Sequence, residues 1–432
     1  CRRAQPRELE SARDKQSGGR SGGVDGPAAA ASARDAFVDC GELMPSNWPM
    51  FMQNPAHGAL SAGSPGPVST PTLRWSVLPG AAIQSCPVLG SDGTVYVTTN
   101  DKKMYALNPA TGATLWSYSN DYGFYKRGAM VGPKAGATTD VVYLNSYDAS
   151  MGYVMVALDA GARGRPLWKV KISDMACGPA MIAPNGNIIV VTSHSLAGQV
   201  PTVYALNPAN GATVWSCVLT GAQAISAQPV VVPASSGSSV AGNVLVVDLA
   251  GNLYQVRSDG SDYDLFMLSA LVPSARVTAS PCLDSTGANL LVMVSASSPS
   301  GNQLISLPVA NMAASWNMNF AGQYFSTYGA VATDPSGYLY VGCNSLVCYS
   351  PEGTLSWNTP VLNYPSPVAL DSNGSIYFTT EDNHLVAVDS IQGSVLWSVA
   401  GPGKGGLAPA LGADGTIFAC AADGTVYAYG AS

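Results

Sequence analysis

Few residues in this 432-residue chain have the types and spacing that chemistry needs. There are three histidines, His57, His194 and His384. His57 lies in NWPMFMQNPAHGAL, residues 47–60, with Trp48, Phe51 and two prolines, packed as closely as a catalytic motif. His194, in VTSHSLAG, and His384, in EDNHLVAV, stand apart, with no GxSxG elbow near either. Both read as satisfied or solvent-facing side chains. The run SDGSDYD, residues 258–264, is rich in oxygen ligands. It lacks the DxDxDG spacing and distal Glu of a calcium loop, and reads as a polar loop between strands. Asn373-Gly-Ser375 is a glycosylation sequon that reads equally well as a hairpin turn.

The nine cysteines are Cys1, Cys40, Cys86, Cys177, Cys217, Cys282, Cys343, Cys348 and Cys420. They contain no CxxC, and with three histidines they form no zinc set. Buried thiols acting as small hydrophobes are the leading reading, with a few disulfides as the other. Cys343 and Cys348 are the best-placed pair. They face each other if NSLV is a four-residue loop, and sit diagonally if Asn344-Ser345 is a two-residue turn. No catalytic residue and no metal ligand set is expected.

Composition narrows the class. Hydrophobic residues are 47% of the chain but charged ones only 11%, against a usual share of about 25%. A surface so poor in charge suits an extracytoplasmic or secreted protein. The net charge of −7 argues against a nucleic-acid footprint. No stretch approaches the ~18 consecutive apolar residues of a membrane span. Residues 1–46 mix both charges with Gly, Ala and Ser and have no apolar period, so disorder is expected there. Glu8, Glu10, Asp14, Asp25 and Asp35 count against a transit peptide. A start at Cys1 admits a lipid-modified mature N-terminus or a fragment.

The elements that position these residues come from an internal repeat. LGSDGTVYVTTNDKKMYALNPATGATLWS (89–117) aligns with LDSNGSIYFTTEDNHLVAVDSIQGSVLWS (370–398). Each unit runs through a D-G or N-G turn, two alternating strands and a Gly turn ending in Trp-Ser. The D-G or N-G pair is expected to supply the positive φ angles of two-residue hairpin turns. Units close at Trp75, Trp116, Trp168, Trp215, Trp316, Trp357 and Trp397, with gaps of 41, 52, 47, 101, 41 and 40 residues. The gap of 101 holds two units, and Phe266 stands near the missing Trp. Eight units of this size predict an all-β fold, an eight-bladed β-propeller of four-stranded antiparallel blades spanning 47–432. The last unit ends without its Trp strand, so 71–79 is expected to pair with Val426–Tyr429 and remove the open edge.

The A-L-N-P-x-T/N-G-x-x-x-W elements and D-G-x-V-Y-V hairpins resemble the PQQ-like, quinoprotein alcohol dehydrogenase-like propellers. The resemblance implies that the outer-strand Trp docks between blades. The W-P-M-F-x-x-N-P-x-H-G stretch resembles the segment preceding blade one in that family. The dehydrogenases that this chain resembles carry adjacent cysteines against their quinone, with an Asp base and Glu and Asn calcium ligands. Here no two cysteines are neighbours, and Asp92, Asp371, Asp414 and Asp423 recur at equivalent turns as structural residues. The resemblance is therefore closer to the non-catalytic branch, similar to the BamB lipoprotein. It implies a protein-interaction or assembly scaffold with protein partners and no cofactor. The alternatives are a PQQ- and calcium-dependent alcohol dehydrogenase, or a carbohydrate- or small-ligand-binding propeller. Channel-facing candidates are the residues that start the inner strands: Gln84, Ser85, Gly178, Gln228, Ser280, Tyr328, Ser366 and Ala408. Their small size is expected from crowding at the axis.

Overall fold

A computed structural model describes residues 48, 50, 52–54, 57, 59–61, 63–83, 85–120, 128–133, 139–193, 199–225, 227–234, 239–277, 279–295, 301–313, 316–319, 331–362, 365–401, 407–421 and 423–431. The expectation for residues 1–46 lies outside them, as do Phe51, Gln84, His194 and Tyr328. Eight antiparallel sheets form the ring. Blade one comprises Val88–Leu89, Val95–Thr99, Lys103–Leu107 and Thr114–Ser119. Blades two to seven follow within 130–171, 181–218, 230–267, 276–319, 331–362 and 369–400. In blade five the innermost position is shared by Arg276–Val277 and Cys282–Leu283, which both pair with Asn289–Ser295. Blade eight is Ala410–Leu411, Ile417–Cys420 and Val426–Gly430, completed by Thr72–Val77. The register runs from Thr72↔Gly430 to Val77↔Val426, so the predicted seal between the two ends of the chain is present.

The turns differ from expectation. The D-G hairpins joining the first and second strands of blades one and eight have three-residue loops, closed by Gly90 N–H to Thr94 O and Gly412 N–H to Thr416 O, both 2.8 Å. Only the glycine enters positive φ, at 80° for Gly93 and 79° for Gly415. The preceding acid instead accepts a backbone N–H two residues on, as Asp92 Oδ1 does from Thr94 at 2.9 Å. This is the three-residue hairpin with Gly in the left-handed position, not the two-residue turn in which both residues take positive φ. The Asp-Gly signature is common to both.

Between blades, Trp75, Trp116, Trp168, Trp215 and Trp357 each lie against the glycine of the next blade's last turn. A Cβ on Gly112 or Gly211 would come 2.6 Å from the rings of Trp75 and Trp168. The indole N–H completes the joint: Trp75 Nε1 donates to Pro109 O at 2.8 Å and Trp168 Nε1 to Pro208 O at 2.9 Å. Trp357 donates to Ser390 O at 2.9 Å and Trp397 to Pro67 O at 2.7 Å. Within its own blade the ring packs on an aromatic of the second strand, as in Tyr96–Trp116, Tyr143–Trp168 and Tyr377–Trp397.

The joint between blades four and five is built differently. The Trp stands four residues after the turn residue in blades one to three and five to seven, and in blade four that position is Asp264, paired with Gln255. Phe266, which stands near it, lies two residues further on and pairs with Leu253. In blade five the glycine is replaced by Met312, fully buried at φ 54°. Met312 shares a hydrophobic cluster with Leu253 and Phe266 of blade four. The carbonyl that elsewhere takes the indole N–H, here Val309 O, accepts Gln255 Nε2 at 3.0 Å. Loss of the Trp is thus matched by a polar substitute on the same carbonyl and by bulk from the opposite blade.

A double-mutant cycle tests this exchange. Asp264→Trp alone overpacks against Met312, at about 1–3 kcal/mol. Met312→Gly alone removes a buried side chain, at about 2–5 kcal/mol less any relief of the positive φ. Denaturation of the double mutant should show at least about 1 kcal/mol of favourable coupling. Additive effects would contradict the exchange.

Candidate functional site

The inner-strand starts are spent on the fold. Ser85, Gln228, Ser280, Ser366 and Ala408 are all buried, as is Gly178. Ser85 Oγ accepts the Thr98 N–H and Ser366 Oγ the Thr379 N–H, both at 3.0 Å. Ser280 Oγ accepts the Gln228 N–H at 3.0 Å, linking blades four and five. Gly178 O accepts from Asn145 Nδ2, and Cys86 Sγ from the Ala408 N–H at 3.2 Å. These residues close hydrogen bonds where strands converge, in addition to being small.

The segment with the conspicuous histidine crosses the ring. Trp48 O accepts the Leu89 N–H of blade one at 2.8 Å. His57 Nδ1 lies 2.7 Å from Pro281 O of blade five, so this nitrogen carries the proton and donates. Leu60 bridges Leu370 of blade seven, and Ser64 N–H reaches Ala413 O of blade eight at 2.9 Å. Met50 joins the hydrophobic cluster of blades two to four, while Met52 and Ala59 join that of blades six and seven. A short segment that bonds to inner strands of blades one, five and seven must pass across the axis. Trp48, Met50, Met52, His57 and Ala59 are all 0% exposed, so they plug the centre at this end. Met52, Gln53, His57 and Ala59 all take positive φ, between 55° and 73°, a conformation that costs about 1–2 kcal/mol per residue and must be held by these contacts.

Asp371 fastens the plug to blade seven. It is 3% exposed, and its Oδ2 accepts Tyr377 Oη–H at 2.8 Å and Gly66 N–H at 3.0 Å. Its Oδ1 accepts the N–H groups of Asn373 and Ser375 at 2.9 and 2.8 Å. The sequence marks Asp371 only as a turn residue. Its bonds to Tyr377 and Gly66 show the wider role. In blade six Tyr340 Oη donates to Asp334 Oδ2 at 2.9 Å, and burial followed by the Asp334 charge pushes the Tyr340 hydroxyl far above its ordinary range.

A quinone with its calcium does not fit the described residues of this centre. The space at one end is filled by the chain's own Trp48, Met50, Met52 and His57. Buried polar atoms without a partner beside the inner-strand starts include Asn145 Oδ1, both ends of the Gln228 amide and Thr98 Oγ1. These groups are neutral, whereas calcium is held by six to eight oxygens that include carboxylates. Among the described residues no three His, Cys, Asp or Glu side chains converge.

The other sequence candidates fall at turns. The 258–264 run is the last turn of blade four, where Asp259 Oδ1 accepts the Ser261 N–H at 2.9 Å. Asn373 is exposed on its turn. His384 opens its strand 3.4 Å from Asp382. Cys343 and Asn344 form a tight turn with Gly342 opposite Leu346, and Cys348 opposite Tyr340. Cys343 and Cys348 therefore do not face each other, and both are free thiols. Burial pushes each to about 12. Cys217 departs from the buried-thiol reading, because it is disulfide-bonded. No helix among the described residues is long and apolar enough to cross a membrane.

Two outcomes follow. Trp48→Ala should cost about 3–5 kcal/mol of stability, as large-to-small changes at buried aromatics do, while leaving partner binding by the folded fraction intact. Loss of binding by a fully stable variant would contradict a purely structural role. Cys343 and Cys348 should resist a thiol reagent at pH 8 until the protein unfolds, since the thiolate is the reacting species. Rapid labelling of either in the native protein would contradict their burial.

The sequence family described as outer membrane protein assembly factor BamB matches residues 68–148, 126–324 and 291–432. The quinoprotein ethanol dehydrogenase of Pseudomonas aeruginosa is 29% identical over 144 residues, 31% of this chain and 22% of that protein. The 1-butanol dehydrogenase (quinone) of Thauera butanivorans is 28% identical over 175 residues, 37% and 27% of the two chains. The chain thus matches about a quarter of the length of these relatives. Among solved structures, the quinohemoprotein alcohol dehydrogenase from Comamonas testosteroni has a TM-score of 0.67 at 13% identity, over 93% of this chain and 84% of that one. BamB from Moraxella catarrhalis has a TM-score of 0.54 at 14% identity, over 84% and 100%. At such identities the structural likenesses show the fold alone. The sequence match extends over well more than half of the chain, and the protein belongs to the family described as outer membrane protein assembly factor BamB, a family of PQQ-like β-propellers.

Proposed function

We propose that this protein is a non-catalytic propeller, a protein-interaction or assembly scaffold that works outside the cytosol. The observation that carries the reading is the axial plug. The chain lays Trp48, Met50, Met52 and His57, all fully buried, across one end of its axis. Residues at the inner-strand starts close the strands on one another, and the unpaired groups beside them are neutral amides and a hydroxyl. The ring remains complete, so its rim and turns are available to a partner. The name of the matching family, an outer membrane protein assembly factor, supports both the scaffold role and the location. The low charge content and the disulfide at Cys217 support an oxidising, extracytoplasmic compartment.

The dehydrogenase reading has the matches to quinoprotein ethanol and butanol dehydrogenases in its favour. Addition of PQQ and calcium followed by a dye-linked alcohol assay separates the two. The scaffold reading predicts no turnover above a heat-denatured control, and robust turnover overturns it. Affinity capture from the native source should also retain a protein partner at stoichiometric amounts; glycan-array hits without any such partner would favour the ligand-binding alternative.

A further inference from the structure

At the joint between blades four and five lies a cavity of about 260 Å³, lined by Asn243, Gln255, Arg257, Asp264, Phe266 and Asn311 among others. Gln255 and Asn243 are 4% and 8% exposed, so polar groups have been carried well below the surface to form its walls. Each is fixed by one bond: Gln255 Nε2 donates to Val309 O at 3.0 Å, and Asn243 Oδ1 accepts the Ser258 N–H at 3.1 Å. Their other ends, Gln255 Oε1 and Asn243 Nδ2, are uncommitted. The Asp264 carboxylate and the Arg257 guanidinium make no hydrogen bond or ion pair with any described residue.

The lining selects a kind of ligand. At about 260 Å³ the cavity is smaller than the 300–1,000 Å³ typical of drug-sized sites. An anion would face Asp259 and Asp264, and a cation would face Arg257. A purely apolar group would leave the buried Gln255 and Asn243 ends unpaired, at about 1–3 kcal/mol each. A hydroxyl both donates and accepts, so it can answer a carboxylate, a guanidinium and an amide in turn. Phe266 and Val240 supply an apolar patch for a C–H face. We propose that this cleft is a binding site for a neutral polyhydroxylated ring, a single pyranose sugar or one such residue at the end of a glycan. The inference is independent of the scaffold reading, since the site lies at a joint between blades and not at the axis.

The test is titration of the full chain with glucose, galactose, mannose and N-acetylglucosamine, read by calorimetry or saturation-transfer NMR. At least one sugar should bind saturably with a millimolar dissociation constant, the range of a small site with few fixed contacts. Asp264→Ala and Arg257→Ala should each weaken that sugar about tenfold or more, as loss of a hydrogen bond to a charged group does. The double variant Asp264→Trp, Met312→Gly places an indole and a glycine as at the other joints and should abolish binding, with its folded state checked by circular dichroism. If that variant does not fold, the two single alanine variants decide. No saturable binding of any of the four sugars at tens of millimolar overturns the proposal. So does sugar binding that is unchanged in Asp264→Ala and Arg257→Ala.

Discussion

The ring depends on one contact repeated at its joints, an indole laid on the bare backbone of a neighbouring glycine. Only glycine tolerates both the positive φ of that turn and so close an approach. The indole contributes a large apolar area and one N–H, and the carbonyl three residues before the glycine receives it at 2.8–2.9 Å from Trp75, Trp168 and Trp357. Blades are thereby fixed in angle as well as in distance. The Trp397 joint shows the logic carried across the chain ends. Blade eight's last turn is replaced by the incoming N-terminal segment, and Pro67 supplies the carbonyl.

That substitution makes the N-terminal segment part of the ring instead of an appendage. Thr72–Val77 completes blade eight, and residues 64–67 tie to blades seven and eight. The residues before them cross the axis. Closure and plugging are thus consecutive acts of the same stretch of chain. A propeller that needs an open centre must route its chain elsewhere. The functional reading follows from this routing more than from any single side chain.

Much of this was legible in the sequence because the ring repeats. Trp spacing gave the number of blades and the chain ends gave the closure, since local patterns determine both. The missing Trp at one joint was visible, but its structural counterpart was not. Phe266 is the nearest aromatic, whereas counting from the turn residue identifies Asp264, the residue that pairs with Gln255. Met312 in a glycine position gave no signal until the blades were set side by side. The Asp-Gly turns were misjudged because two- and three-residue hairpins share that signature. His57 stands out in the sequence by its neighbours, but its partner Pro281 lies 224 residues away and no periodicity points to it. Asp371, read as a turn residue, gained its bond to Gly66 over 305 residues.

Residues 48, 50, 52–54, 57 and 59–61 are packed into the axis as firmly as the blades around them. Native-state hydrogen exchange measures this directly, because amides in a packed element exchange only through larger openings. The Ser61 and Ala59 amides, bonded to Leu370 O and Met52 O at 2.8 and 2.9 Å, should be protected to the same degree as neighbouring blade-seven amides. Exchange of these amides at the rate of a free loop, with the blades still protected, would contradict the plug and the account built on it.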